Sequence, residues 1–386
     1  LTINVVMTGD GTSKAVASWR QATTTFSVAQ VTGAYGYNMS QNSATLLPGD
    51  NQTYNFTSYS NPDNDNPRKS MTTLSMLPYN GDKNGTKNIE YSNVTVKLTD
   101  PKLNFNGLSG YYTTDTRVRT IDLNDQSAVN NFLSYKAAWH EVSLSDFNGG
   151  SGAITLPSNA TAIKWVDVKA IKDRLVSFSL TINNVRATAS DAKLATAINY
   201  VAVTGSSPII NPVSQTADVA ETKVDVSLDK ALANLSREES GATGLLSTTS
   251  TITANTNSAS GYSLTMKSKA TNGLINAAAS QHAIEASANT TPKPLTTNTW
   301  GYALPDRTGD GFGSAADYTN PTGTTAFAKV PNNTDNAVVI KSVTTRPDQV
   351  AGDATKVAYG VNLGDSNAAG TYKAEIVYTV TANPFE

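Results

Sequence analysis

Period-two alternation runs through this chain from end to end, and it constrains the fold more than any other feature. Val94, Val96 and Leu98 alternate with Thr95 and Lys97, and Val176, Phe178, Leu180 and Ile182 are separated by Ser177, Ser179 and Thr181. Val224, Val226 and Leu228 repeat the pattern, as do Tyr262, Leu264 and Met266. Near the start, Leu1, Ile3, Val5 and Met7 alternate with Thr2, Asn4 and Thr8, with Val6 breaking the polar face. The last run is the cleanest: Tyr372, Ala374, Ile376, Tyr378 and Val380, with Lys373, Glu375 and Thr379 outward. Strands of this kind bury one face and wet the other, as two packed antiparallel sheets require. Turn signals stand between them at Pro48-Gly49-Asp50, Asn80-Gly81-Asp82, Asn148-Gly149-Gly150 and Asn272-Gly273.

The chain has 386 residues, too many for one ordinary sandwich and about right for two. The expected fold is all-β: two antiparallel β-sandwich domains in tandem, Ig-like or jelly-roll-like, with one short helix in the first. Asp125 is expected to cap that helix, whose apolar positions Val129, Phe132 and Leu133 follow helical spacing and which ends near Trp139. Its apolar face is expected to cover a sheet edge or an open end of the sandwich. The stretch from Asn199 to Pro212, with its Gly205-Ser206-Ser207-Pro208 break, reads as a linker, which places an N-terminal domain at 1–205 and a C-terminal domain at 206–386.

Charged residues make up only 16% of the chain, against about 25% in average soluble domains. Solubility therefore falls to Ser, Thr and Asn, which suit strands and turns better than long surface helices. Net charge is −2 with no basic run, so nucleic acid is not an expected partner. The absence of cysteine removes thiol catalysis and Cys-based zinc sites. No apolar run reaches the roughly 20 residues that span a bilayer. The sequence opens on Leu1 rather than Met, which points to a processed or excised chain.

Two stretches resemble known families. Leu77-Pro78-Tyr79-Asn80-Gly81-Asp82 followed by Asn84-Gly85-Thr86 is similar to the signature of repeat domains in Gram-positive surface adhesins. Pro48-Gly49-Asp50 with Thr53-Tyr54, Tyr111-Tyr112-Thr113-Thr114 and Ala162-Ile163-Lys164-Trp165 extend that resemblance over about residues 40–205. In the second half, Ser260-Gly261-Tyr262-Ser263-Leu264-Thr265, Asn298-Thr299-Trp300-Gly301-Tyr302, Val357-Ala358-Tyr359-Gly360-Val361 and Ala369-Gly370-Thr371-Tyr372 form an ordered set. It resembles the C-terminal domain of exported surface proteins of Gram-positive and epibiotic candidate-phylum bacteria. Both resemblances imply extracellular β-sandwiches with no catalytic residue to carry over. The first also implies that a Lys–Asn isopeptide crosslink stands where other exported proteins place disulfides.

On the residues themselves, Gly301 and Gly360 beside strand aromatics mark close backbone approach. Trp300, Tyr302, Tyr359 and Tyr372 read as core or sheet-edge aromatics rather than a sugar platform. The two histidines, His140 and His282, lack zinc-helix spacing, and no nucleophile elbow or phosphate loop appears. Calcium is the one cofactor the sequence suggests. It would draw on Asp306, Asp310 and Asp317 around Gly309, Gly311 and Gly313, although such acidic glycine-rich loops also serve as plain turns. Asn61–Pro67 is a similar acidic loop. The functional expectation is a non-enzymatic surface component of a bacterium: a stalk, filament, sheath or surface-layer subunit. Its partners would be copies of itself, other surface proteins and a host-cell surface. The alternative is a monomeric adhesin module that binds glycan or protein.

Overall fold

In the computed structural model the described residues are 2–7, 22–27, 35–60, 68–99, 107–123, 125–134, 138–143, 145, 147, 152–168, 174–204, 207–210, 213–236, 244–271, 273–365 and 367–385. Nearly all of the regular structure is strand, and the chain divides into two compact units, Leu1–Thr222 and Lys223–Glu386.

The first unit is a sandwich. One sheet runs Trp139–Val142, Leu108–Thr113, Ala162–Asp167, Arg68–Met76, Lys193–Thr204, Val213–Val219 and Thr45–Leu46. The facing sheet runs Ala153–Thr155, Asn93–Leu98, Arg174–Ala187, Asp50–Ser60 and Tyr35–Gln41. Adjacent strands are antiparallel except where Val213–Val219 meets Thr45–Leu46. Between the sheets, Phe178 stacks on Phe56 at 4.7 Å and lies 5.6 Å from Trp165, with Tyr54, Val96, Leu180 and Leu194 buried around them. A Cβ at Gly110 would meet the Trp165 ring at 2.5 Å, so glycine alone lets the indole lie flat on the neighbouring strand.

The helix forms where expected, Gln126–Ser134, with Asp125 accepting from Ala128 N at 3.0 Å. It ends earlier than expected, because Trp139 starts a strand that pairs with Leu108–Thr113. Nor does it cover an edge or an open end. Val129 and Phe132 form a second, smaller core with Leu74, Met76, Ala162 and Ala197, so the helix lies on the outer face of the first sheet. Ala162, Ile163, Lys164 and Trp165 are consequently all buried, and period-two alternation fails in a strand covered on both faces.

The break expected at 205/206 lies inside the first unit. Ser207–Ile210 folds back on Lys193–Thr204 and Val213–Val219 continues the same sheet, so residues 206–222 stand with the first sandwich and the division falls at Thr222/Lys223. A Gly-Ser-Ser-Pro sequence serves a hairpin as readily as a linker, since both demand a chain reversal free of helix.

The second unit is a sandwich of unequal sheets. The larger runs Val224–Leu228, Gly244–Thr256, Asp353–Leu363, Thr299–Ala303, Ala283–Ala286, Leu274–Asn276 and Tyr372–Lys373. The smaller has three strands, Val338–Val343, Tyr262–Ser268 and Ile376–Ala382. The alternating run expected over 372–380 is thus split. Tyr372–Lys373 belongs to the larger sheet and Ile376–Ala382 to the smaller, with a break at Ala374 and Glu375. Gly301 and Gly360 pair directly opposite one another. A Cβ at Gly360 would sit 2.4 Å from the Phe327 ring, and one at Gly301 would sit 2.6 Å from the Ala328 carbonyl. The facing glycines make a slot in the sheet that the fully buried Phe327 fills. Trp300, Tyr302 and Tyr359, at the alternate positions of the same strands, are buried on the opposite face, as core aromatics.

Thr2–Met7 and Ala22–Ser27 form a separate two-stranded antiparallel sheet.

Candidate functional site

The acidic loop of the second unit is a set of turns, each carboxylate engaged locally. Asp317 is the third residue of the short helix Ala315–Thr319 and accepts from Ser314 N at 2.6 Å and Ser314 Oγ at 2.9 Å, one half of a capping box. Asp310 pairs with the Arg307 guanidinium. Asp306 accepts from Lys356 N at 3.4 Å. The structure does not bring Asp306, Asp310 and Asp317 together, and among the described residues no three His, Asp or Glu converge as a metal would need. The 61–67 acidic loop lies outside the described residues.

His140 is exposed and stacks on Tyr112 at 5.1 Å, and His282 occupies an exposed turn. Next to the acidic loop is a cleft of about 440 Å³ lined by Asp306, Arg307, Lys341, Thr355 and Lys356. Lys341 Nζ lies 2.5 Å from Asp353, whose other oxygen accepts from Tyr262 at 2.9 Å. These contacts tie the edge of the smaller sheet to the larger one.

The adhesin-like motif of the first unit folds into a self-satisfied loop. Asp82 is nearly buried and collects three backbone N–H groups: Tyr79 at 3.1 Å, Asn84 at 2.9 Å and Thr86 at 3.0 Å. Asn80 exchanges two hydrogen bonds with Ile89, and Thr86 Oγ1 does the same with Ala195 on the first sheet. Gly81 and Gly85 take φ of 86° and 97°, the left-handed region that this chain reversal requires. Asn80, Gly81, Asp82, Gly85 and Thr86 thus each serve the backbone of the loop. What the loop presents outward is Tyr79, 46% exposed, with the Arg119 guanidinium 3.7 Å over its ring. Pro78, Tyr79, Tyr91, Asn93 and Pro157 line a cleft of about 280 Å³ beside it.

Lys164 was not singled out by the sequence. Its ammonium donates to the Leu133 carbonyl at 3.2 Å at the helix end and lies 4.1 Å from the Trp139 ring centre and 5.2 Å from that of Tyr111. Burial pulls its pKa down to about 8. These neighbours are a carbonyl and two rings, not the carboxamide that an isopeptide bond consumes or the carboxyl acid that assists its formation.

The second unit also carries an exposed strip on the core face of its edge strand. Val224, Val226 and Leu228 pair with Thr256, Ala254 and Ile252. Directly opposed residues of an antiparallel ladder share a face. Thr256, Ala254 and Ile252 are buried, so the three apolar side chains of the edge strand point to the core side as well. Yet they are 45%, 40% and 46% exposed. Across from them, Ile376–Ala382 is the last strand of the smaller sheet and pairs only with Tyr262–Ser268 among the described residues. Its inward residues Ile376, Tyr378 and Val380 are only half-buried. Tyr378 bridges to Tyr359 by a hydroxyl–hydroxyl hydrogen bond, and burial raises the pKa of both, so the bridge stays protonated.

No family description fits the sequence, and no curated protein is detectably similar to it. Several solved structures are similar to it over part or most of the chain. One is a variant of BcpA, the major pilin subunit of Bacillus cereus, at 9% identity over 60% of this chain and 49% of that one, TM-score 0.26. Another is the full-length major pilin SpaD of Corynebacterium diphtheriae, at 12% identity over 60% and 41%, TM-score 0.24. A third is a chaperone–tip adhesin complex of CFA/I fimbriae, at 12% identity over 88% and 95%, TM-score 0.28. The chain spans less than half the length of the two pilins. Among the described residues no helix is long and apolar enough to cross a membrane.

Proposed function

We propose that this chain is a structural subunit of a bacterial surface assembly, extracellular and working through protein–protein contacts rather than chemistry. The observation that supports this most directly is the Val224, Val226 and Leu228 row, a contiguous core-side apolar strip left exposed at the edge of a sheet. Contiguous apolar surface of this kind marks an interface. Light scattering and negative-stain microscopy over a concentration series test the reading. Concentration-dependent oligomers or filaments are expected, and a chain that stays monomeric throughout refutes it.

The cleft beside Tyr79 favours a second reading, a module that binds an extended peptide or a glycan through exposed aromatic and proline surface. Under that reading Tyr79→Ala abolishes binding on a glycan or peptide array and leaves the oligomeric state untouched.

A further inference from the structure

The uncovered strip has the shape of a missing strand. The larger sheet of the second unit has seven strands and the smaller three. At the rim, Val224–Leu228 and Ile376–Ala382 stand beside one another, each paired on one side only among the described residues. A chain segment seated there in extended form would hydrogen-bond along the free edge of Ile376–Ala382 and lay every second side chain over Val224, Val226 and Leu228. The requirements on the occupant are specific: at least three apolar residues at period two, no charge on the inward row, and an unpaired edge of its own.

Thr2–Met7 meets all three. Ile3, Val5 and Met7 recur at every second position, matching the count and spacing of the row, and the stretch from Leu1 to Thr8 carries no charged side chain. The inward residues of the rim are likewise uncharged, so neither partner leaves a buried charge unpaired. Among the described residues Thr2–Met7 forms a ladder with Ala22–Ser27 and with no other strand. Two-stranded sheets are marginal by themselves. Docked by its open edge, the pair would extend the three-stranded sheet to five.

Resting on the assembly reading above, we infer that the Thr2–Met7 strand of a second copy docks on the open rim between Val224–Leu228 and Ile376–Ala382. The contact is head-to-tail, so it propagates as a filament unless its rotation closes a ring. The chain has no cysteine, which allows a clean test. Separate copies carrying Asn4→Cys, and Val377→Cys, Thr379→Cys or Thr381→Cys on the outward face of the rim strand, are mixed in pairs, assembled and oxidised. A disulfide-linked dimer is expected for at least one pairing. In parallel, Val226→Asp should raise the concentration for half-assembly about tenfold or more. Ser227→Asp, on the other face of the same strand, should leave it unchanged, and the melting curves of both variants verify folding. A crosslink that forms only when both cysteines lie in one chain, as a monomer, overturns the second-copy assignment. Assembly that proceeds with no crosslink and no response to Val226→Asp overturns the docking strand while leaving the filament standing. A wild-type chain that never assembles overturns both.

Discussion

Replacing Asp82 by alanine should unfold the first unit far more easily than an exposed loop change would. The side chain accepts three backbone N–H groups, and removal strands all of them. The Thr86 amide belongs to a residue only 1% exposed, so water cannot replace its partner. A buried donor left unsatisfied costs about 2–3 kcal/mol when its lost partner was ionised. The Tyr79 and Asn84 amides lie nearer solvent, where water recovers most of the loss and about 0.5–1 kcal/mol remains for each. The sum is about 3–5 kcal/mol. For a unit of this size that is roughly 6–20 °C in melting temperature. Asp82→Asn is the informative companion. Its one carbonyl oxygen can still serve Asn84 and Thr86 while its amide faces the Tyr79 N–H, so about 1–2 kcal/mol is expected. Urea titrations with tryptophan fluorescence read the result, because Trp139 and Trp165 lie in the first unit and Trp300 in the second. The Trp300 transition should not move. If Asp82→Ala lies within 1 kcal/mol of wild type, the loop is not held by this carboxylate, and the motif's acid serves something outside the fold.

Three further outcomes follow from the same geometry. Lys164 has its pKa pulled below the ordinary value of about 10.4, to about 8, by burial, so between pH 8 and 10 the unfolded chain binds the proton that the folded chain has released. Stability of the wild type relative to Lys164→Met should therefore rise across that window. Below pH 8 the methionine variant should be the more stable by about 1–2 kcal/mol, after allowance for the cation–ring contacts that the substitution removes; a pH-independent difference refutes the shift. Gly360→Ala forces a Cβ into the Phe327 ring and should destabilise the second unit by about 2–3 kcal/mol, with part of the loss recovered in a Phe327→Leu background by a double-mutant cycle. For calcium, each of Asp306, Asp310 and Asp317 would have to abandon its present partner, so chelator should leave the melting temperature unchanged. A drop on chelation that Asp310→Ala removes would instead establish an ion there.

The alternating runs named in the sequence all fall on strands, the last divided between two, because alternation reports a strand with one wet face. It fails at Ala162–Asp167, where a helix buries the outer face, and nothing within that strand reveals a cover supplied by residues 126–134. Gly301 and Gly360 were legible as sites of close approach, yet the thing that approaches, Phe327, lies far along the chain in a two-residue strand with no pattern of its own. Asp317 illustrates the opposite case. Acid and glycine in one loop read as cation ligands, while Ser314 three residues earlier spelled a capping box that accounts for the same carboxylate. Lys164 stayed invisible because its character comes from Trp139 and the Leu133 carbonyl, both supplied by a distant stretch of chain.

The open rim sets these limits in sharper form. Val224, Val226 and Leu228 alternate as cleanly as any buried strand, and sequence alone has no means of separating an apolar row that is covered from one that awaits a cover. Edge strands are normally protected by charge or by proline, since an exposed apolar edge invites pairing with another chain. Here the opposite seam of the sandwich is protected in that way: Arg307 reaches the Val339 and Ile340 carbonyls, and Lys341 reaches Asp353 and the Ala354 carbonyl. The Val224–Leu228 seam carries no comparable guard among its inward residues. One seam closed by cations and the other left apolar is an asymmetry that nonspecific stickiness does not produce, because a fold selected only for solubility would guard both. It is what a subunit needs if it is to accept a neighbour on one side and refuse it on the other.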